Sequence, residues 1–183
     1  MTFQDYITQL AALYRDHDFA LDLNPPASAS QLVQLEAELG HALKDDLRAA
    51  WLHANGGQEW ETVFSRPGSL GGYWFLSAQD ALLERAHMAQ RSPQYLGYAE
   101  DRERDHRIQD GWYHDGWLPF ANFSGATLLL IQDYSPAPGG QAGQIIAFTH
   151  DPDTIEYVAP SLSALLGSSL ENIRHYTGEF VGS

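Results

Sequence analysis

Apolar positions crowd most densely between Trp117 and Phe148. They form three runs of strand length: Trp117-Leu118-Pro119-Phe120-Ala121, Thr127-Leu128-Leu129-Leu130-Ile131-Gln132-Asp133 and Gly143-Gln144-Ile145-Ile146-Ala147-Phe148. Each is closed by Gly, Pro or Asn, and the spacing predicts successive neighbours in one sheet. Beyond them, Asp151-Pro152-Asp153 is a turn sequence, and Thr154-Ile155-Glu156-Tyr157-Val158 returns with period-2 alternation, which predicts a hairpin. Upstream, Gly71 to Leu76 reads as a strand, while Gln58 to Phe64 alternates only roughly and reads as a loop with room for a short strand.

Helical spacing appears elsewhere. Phe3, Tyr6, Ile7, Leu10, Leu13 and Tyr14 share one face of a first helix, with Thr2 as N-cap and Asp5 in the first turn. Ser28 and Gln31 are spaced as a capping box ahead of Leu32, Leu35 and Leu39, and Gly40 is the stop. A third helix begins at about Lys44, turns Leu47, Ala50 and Trp51 inward, and closes in Asn55-Gly56-Gly57. The short link between the second and third helices predicts that the two pack on each other. Ser77 and Asp80 open a fourth helix that ends near Ser92-Pro93, and Ser161 opens a last one through Leu162, Leu165 and Leu166. Residues 94–111 carry both charge signs with no apolar stripe and read as a solvated insertion or an exposed helix; residues 177–183 read as a loose tail. The fold class is therefore α+β, a single domain with a mostly antiparallel central sheet flanked by helices.

The 183 residues suit one core, with 44% hydrophobic and 12% aromatic content. Cysteine is absent, which excludes disulfides and thiolate chemistry and fits a reducing, cytoplasmic setting. The first residues lack the pattern of a signal peptide, and no apolar run approaches the roughly 18 residues of a membrane span. Net charge is −14. A field of that sign repels nucleic-acid backbones and attracts basic surfaces, although acidity for solubility alone produces the same number.

Candidate chemistry is sparse. The eight histidines show no metal-ligand spacing, and the nearest constellation, His106 with His114-Asp115, joins neighbours that point to opposite faces of a strand. Phe123-Ser124-Gly125 lacks the geometry of a nucleophile elbow and reads as a polar turn. Gly139-Gly140-Gln141-Ala142-Gly143 lies between strands and begins no helix, so it reads as a flexible hairpin connection rather than a phosphate cradle. Neither a cofactor nor a metal is expected. Aromatic residues set among acids are what is left: Trp60 between Glu59 and Glu61, and Trp112-Tyr113 beside His114-Asp115, each readable as contact surface or as core. Glu59, Trp60 and Glu61, with Asp101, Glu103 and Asp105 of the polar segment, are the candidate partner contacts.

The order of features resembles the SMI1/KNR4 family of the SUKH superfamily. The resemblance rests on Leu35-Glu36-Ala37-Glu38-Leu39-Gly40, Leu43-Lys44-Asp45-Asp46-Leu47-Arg48 running into Asn55-Gly56-Gly57, Trp117-Leu118-Pro119-Phe120-Ala121, Asp133-Tyr134-Ser135-Pro136, Gly143-Gln144-Ile145-Ile146 and the closing helix. It runs from about Leu23 to Leu166, departing at Lys44, where the family commonly has proline. It implies an α+β domain without shared catalytic residues. Many bacterial members are thought to be immunity proteins that neutralise toxin domains, often nucleases, and fungal relatives act in cell-wall regulation as protein-binding hubs. The expected function is thus a non-enzymatic module whose protein partner is a basic toxin domain. A scaffold with an endogenous partner is the second reading, and a metal-dependent hydrolase using His106 and His114 the third.

Overall fold

The computed structural model describes residues 1–100, 103–125 and 127–181. Six strands, β1 (Phe64–Ser65), β2 (Gly72–Phe75), β3 (Trp117–Phe123), β4 (Leu128–Asp133), β5 (Gln144–Thr149) and β6 (Thr154–Ala159), form one sheet in chain order. Every neighbouring pair is antiparallel. The sheet curls until its edges approach: Arg66 just after β1 reaches Glu156 of β6, Nη1 to Oε2, at 2.7 Å. The helices are α1 (Phe3–Arg15), α2 (Ala29–Leu39), α3 (Asp45–His53), α4 (Ala78–Arg91), α5 (Leu162–His175) and α6 (Thr177–Phe180). The chain is a single α+β domain, as its sequence pattern predicts.

The apolar runs of β3 to β5 are continuous rather than alternating because both faces of the sheet are covered. Leu118, Leu130, Ile145 and Ala147 enter a large core with the helices α1, α2, α3 and α5. Their strand neighbours Trp117, Leu129, Ile131, Ile146 and Phe148 enter a smaller one with Met88 of α4, Ile108 and Trp112. Fully burying one such large side chain stabilises the fold by about 1.5–3 kcal/mol.

Local signals place the helices. Thr2, Ser28, Ser77 and Ser161 each accept the backbone N–H three residues on, Ser28 within a complete capping box. By contrast β1, only two residues long, is held by helix side chains from both ends of the chain. The Tyr6 hydroxyl donates to Val63 O at 2.5 Å and meets Ser169 Oγ at 2.8 Å, Tyr14 donates to Thr62 O, and Ser169 Oγ accepts the Ser65 N–H. Burial raises the pKa of both tyrosines, which keeps these hydroxyls protonated donors.

Three expectations need correction. α2 packs on α4, and α3 on α1 and α5, because Gly40 in the left-handed region and extended Lys44 turn the two helices apart; an Arg48–Glu36 ion pair at 3.2 Å still bridges them. The polar segment is neither a solvated insertion nor an exposed helix: its described residues lie across the second sheet face as a strap, with Ile108 and Trp112 buried. Within the tail, the described residues 177–181 are docked, since Phe180 of α6 is buried in the large core.

Candidate protein-binding surface

The surface begins at the turn that closes α3. Gly56 has φ +91°, and a Cβ there would sit 2.7 Å from Ser77 N, so only glycine lets this turn press against the start of α4. Asn55 Oδ1 accepts the Ala78 N–H at 2.9 Å, Gly57 N donates to Phe75 O, and Trp51 Nε1 donates to Leu76 O. The next residues must leave the turn along the edge of β2, and they carry Glu59, Trp60 and Glu61.

Trp60 is 60% exposed and has φ +72°. A side-chain-bearing residue in the left-handed region costs roughly 1–2 kcal/mol, and such strain concentrates at functional positions. Ring contacts offset part of it: Trp60 lies 5.2 Å from Trp74 and 6.2 Å, edge-on, from Phe123, centroid to centroid. Beside this platform a groove of about 320 Å³ runs between β2 and α4, lined by Glu59, Trp74, Asp80, Leu83, Glu84 and Asn122 among others. Asp80, Leu83, Glu84 and His87 recur at helical spacing on one face of α4, and Leu83 is half exposed. Sequence reasoning missed this α4 face, although its i, i+3, i+4, i+7 spacing is readable; its proximity to Trp60 is a tertiary fact.

The candidate residues thus divide. Glu59 and Trp60 are exposed, whereas Glu61 is half-buried and its Oε2 accepts the Asp22 N–H at 2.9 Å. Burial raises the Glu61 pKa, opposed by that hydrogen bond. Asp101 lies outside the described residues. Glu103 is exposed, and Asp105 is clamped by Arg107, Nε at 2.8 Å and Nη2 at 2.5 Å. That clamp lowers the Asp105 pKa to about 2. The two clusters do not meet. Trp60 contacts Phe123, at the end of β3 paired with Leu128, while Arg107 O accepts from Ala137 N and Gln144 Nε2 beyond the opposite end, where Trp117 pairs with Asp133. Of the two aromatic candidates, Trp112 is core, stacked on Tyr95 at 4.2 Å, and its indole donates to Asp153 Oδ2 at 2.6 Å.

The strap is fastened by its own charges. Glu100 Oε1 accepts from Arg104 Nη2 at 2.7 Å and from the Ile155 N–H on the outer edge of β6, and Arg104 Nη1 donates to Gln109 O and Gly111 O. The glycine loop is held against it: Ala137 N donates to Arg107 O at 3.1 Å, and a Cβ on Gly140 would collide with that same carbonyl, so the loop is a close backbone approach rather than a flexible connection. His106 is exposed beside Asp105, and His114 Nε2 bonds Asp110 O at 2.6 Å. Among the described residues no group of three or more His, Asp or Glu is placed to hold a metal. Among them, too, no helix is long and apolar enough to cross a membrane.

Apart from the Asn55-Gly56-Gly57 turn, several motifs behind the family resemblance converge at the far end of the sheet from Trp60. Asp46 Oδ1 accepts from Leu47 N and Gln132 Nε2, Asp46 Oδ2 accepts from Ser163 N, and the Tyr134 hydroxyl accepts the Lys44 N–H at 3.0 Å while donating to Gln132 Oε1. Buried Asp133 accepts from Gln144 Nε2 and Ser135 N, each within 2.9 Å, and burial raises its pKa. These residues are consumed in tying α3, α5 and β4 together, which is fold-making work.

A curled antiparallel meander with both faces covered, flanked by helices, defines a single-domain α+β fold, and its surface carries an exposed aromatic platform. The SMI1 / KNR4 family (SUKH-1) profile matches residues 26–168, and the chain belongs to that family. A relative, the cell wall biosynthesis/cell cycle regulator smi1 of Schizosaccharomyces pombe, is 38% identical over 69 residues, 36% of this chain and 13% of that protein. The match therefore covers a small part of the yeast protein.

Proposed function

We propose that this domain is a non-enzymatic protein-binding module that acts as an immunity protein, occluding the basic toxin domain of a bacterial polymorphic toxin system. The observation that carries the reading is Trp60, an exposed indole on a strained backbone packed on Trp74, which lines an acidic groove. Exposed tryptophan is the commonest kind of interface anchor, and a net charge of −14 steers a basic partner toward it while disfavouring nucleic acid. Family membership supports protein recognition. Glu59, Trp60 and Glu61 form the primary contact, with Asp101, Glu103 and Asp105 as a second acidic margin.

Sequencing the neighbouring genes and co-expressing this chain with a toxin found among them tests the reading. Protection of the cells and a complex recovered by pull-down are expected; unprotected cells with no complex refute it. The second reading, a regulator with an endogenous partner, is favoured by the smi1 relative. Its signature is capture of a host protein in cells that hold no toxin gene.

A further inference from the structure

The groove beside Trp60 has a chemistry more specific than negative charge. Trp74, 7% exposed, forms an aromatic wall, and Trp60 stands against it at a 54° tilt. Glu59, Asp80 and Glu84 supply three carboxylates around the opening, and among the described residues no Lys or Arg lines it. Asp80 Oδ2 already accepts from Ser77 Oγ at 2.6 Å, and the ion-pair partner of Glu84 among the described residues is His87, at 3.7 Å. Leu83 closes the α4 side and also lines the neighbouring groove between α2 and α4.

Resting on the protein-binding reading, we infer that this groove receives a single arginine side chain of the protein partner. A flat guanidinium stacks on indole faces and is more weakly hydrated than an ammonium, so it enters an aromatic slot at lower desolvation cost than lysine. Its aliphatic stem lies along Trp74 and Leu83, and its five donors face Glu59 and Glu84 in a fork that carboxylates match. The volume, about 320 Å³, suits one long side chain rather than a helix or strand. Charge complementarity selects the occupant: an apolar side chain would leave three carboxylates facing it without a counter-charge.

The test is an NMR titration of the whole chain, labelled with nitrogen-15, using Nα-acetyl-arginine amide and its uncharged isostere Nα-acetyl-citrulline amide. Arginine is expected to give saturable shifts at the indole N–H signals of Trp60 and Trp74 and the amides of Glu59 and Glu84, with citrulline giving none. Trp60→Asn, chosen because asparagine tolerates the left-handed backbone, and the pair Glu59→Gln with Glu84→Gln should each weaken binding about tenfold. Retained dispersion of the remaining spectrum checks that the variants stay folded. Equal response to citrulline, shifts confined to the strap around Asp105, or binding unchanged in Trp60→Asn would each overturn the inference. The outcomes separate from those of the wider reading. Wild type and Trp60→Asn capturing the toxin equally, with a flat arginine titration, removes the groove and keeps the immunity role; a clean arginine titration with no protein complex supports the groove and removes the role.

Discussion

At the strap, carboxylates rest on arginines of their own chain; around Trp60 the groove carboxylates have no Lys or Arg partner among the described residues. Glu100 is closed over Arg104, and Asp105 over Arg107, so much of the negative charge there is spent on holding the segment to β6. Glu59 instead is exposed, and Glu84, its side chain 18% exposed, lines the groove beside an aromatic wall with His87 at 3.7 Å. The difference teaches that an acidic run in a sequence is not yet an acidic surface. What matters is whether each carboxylate has an internal cation, and two stretches of similar composition answer that differently.

The largest effect expected from breaking this contrast is at Arg104. Its side chain and that of Glu100 are 9% and 4% exposed, and removing one partner of a buried pair leaves an uncompensated charge. Arg104→Ala should lower unfolding free energy by about 3–5 kcal/mol in urea titrations. An effect below about 1 kcal/mol would return the strap to the status of a solvated loop. Comparing the two tryptophans comes next: Trp112→Ala should cost about 3–5 kcal/mol, and Trp60→Ala less than about 1 kcal/mol in the same titration.

A smaller effect concerns pH. Asp105 has its folded pKa lowered to about 2, so the stability it contributes is complete above its ordinary value near 4 and is lost as pH falls toward 2. Asp133 runs the other way. Burial raises its folded pKa, so its ionisation costs stability as pH rises through the ordinary carboxylate range and beyond it to the raised value. Carbon-13 NMR titration of the two carboxyls should show midpoints displaced in opposite directions; coincident midpoints would erase the distinction. The smallest effect on folding is expected from Glu59→Gln with Glu84→Gln, within about 0.5 kcal/mol of wild type. That pair should nonetheless slow association with a basic partner several-fold at low salt, a difference that fades as salt screens it.

How much of this was legible in the chain depends on how local each determinant is. The four serine or threonine caps and the strands β3 to β6 were readable because the residues that decide them lie within a few positions of one another. The departure at Lys44 was readable as a helix start but not in its consequence: its φ of −67° suits proline, yet its N–H bonds Tyr134, which proline could not do. The strap was misread because its charge pattern is that of a solvated face, and only the edge of β6, 55 residues on, makes Glu100 a buried anchor. Of the candidate contacts, Glu59 and Trp60 were visible as an aromatic among acids. Trp74, Leu83 and Glu84 were not, because nothing within α4 or β2 announces that the turn at Gly56 brings them beside Trp60.

The fastening of β1 also sets a clock. The Ser65 N–H donates to Ser169 Oγ, 104 residues later, and the loop that bears Trp60 leads directly into that strand. A ribosome adding roughly 5–20 residues per second needs roughly 5–20 s to cover that distance. Late in that interval the nascent chain has its platform residues but not the helix that pins the strand following Trp60. A stalled or truncated chain lacking α5 would carry every residue of the Trp60 groove without the hydrogen bond that fixes the strand following Trp60.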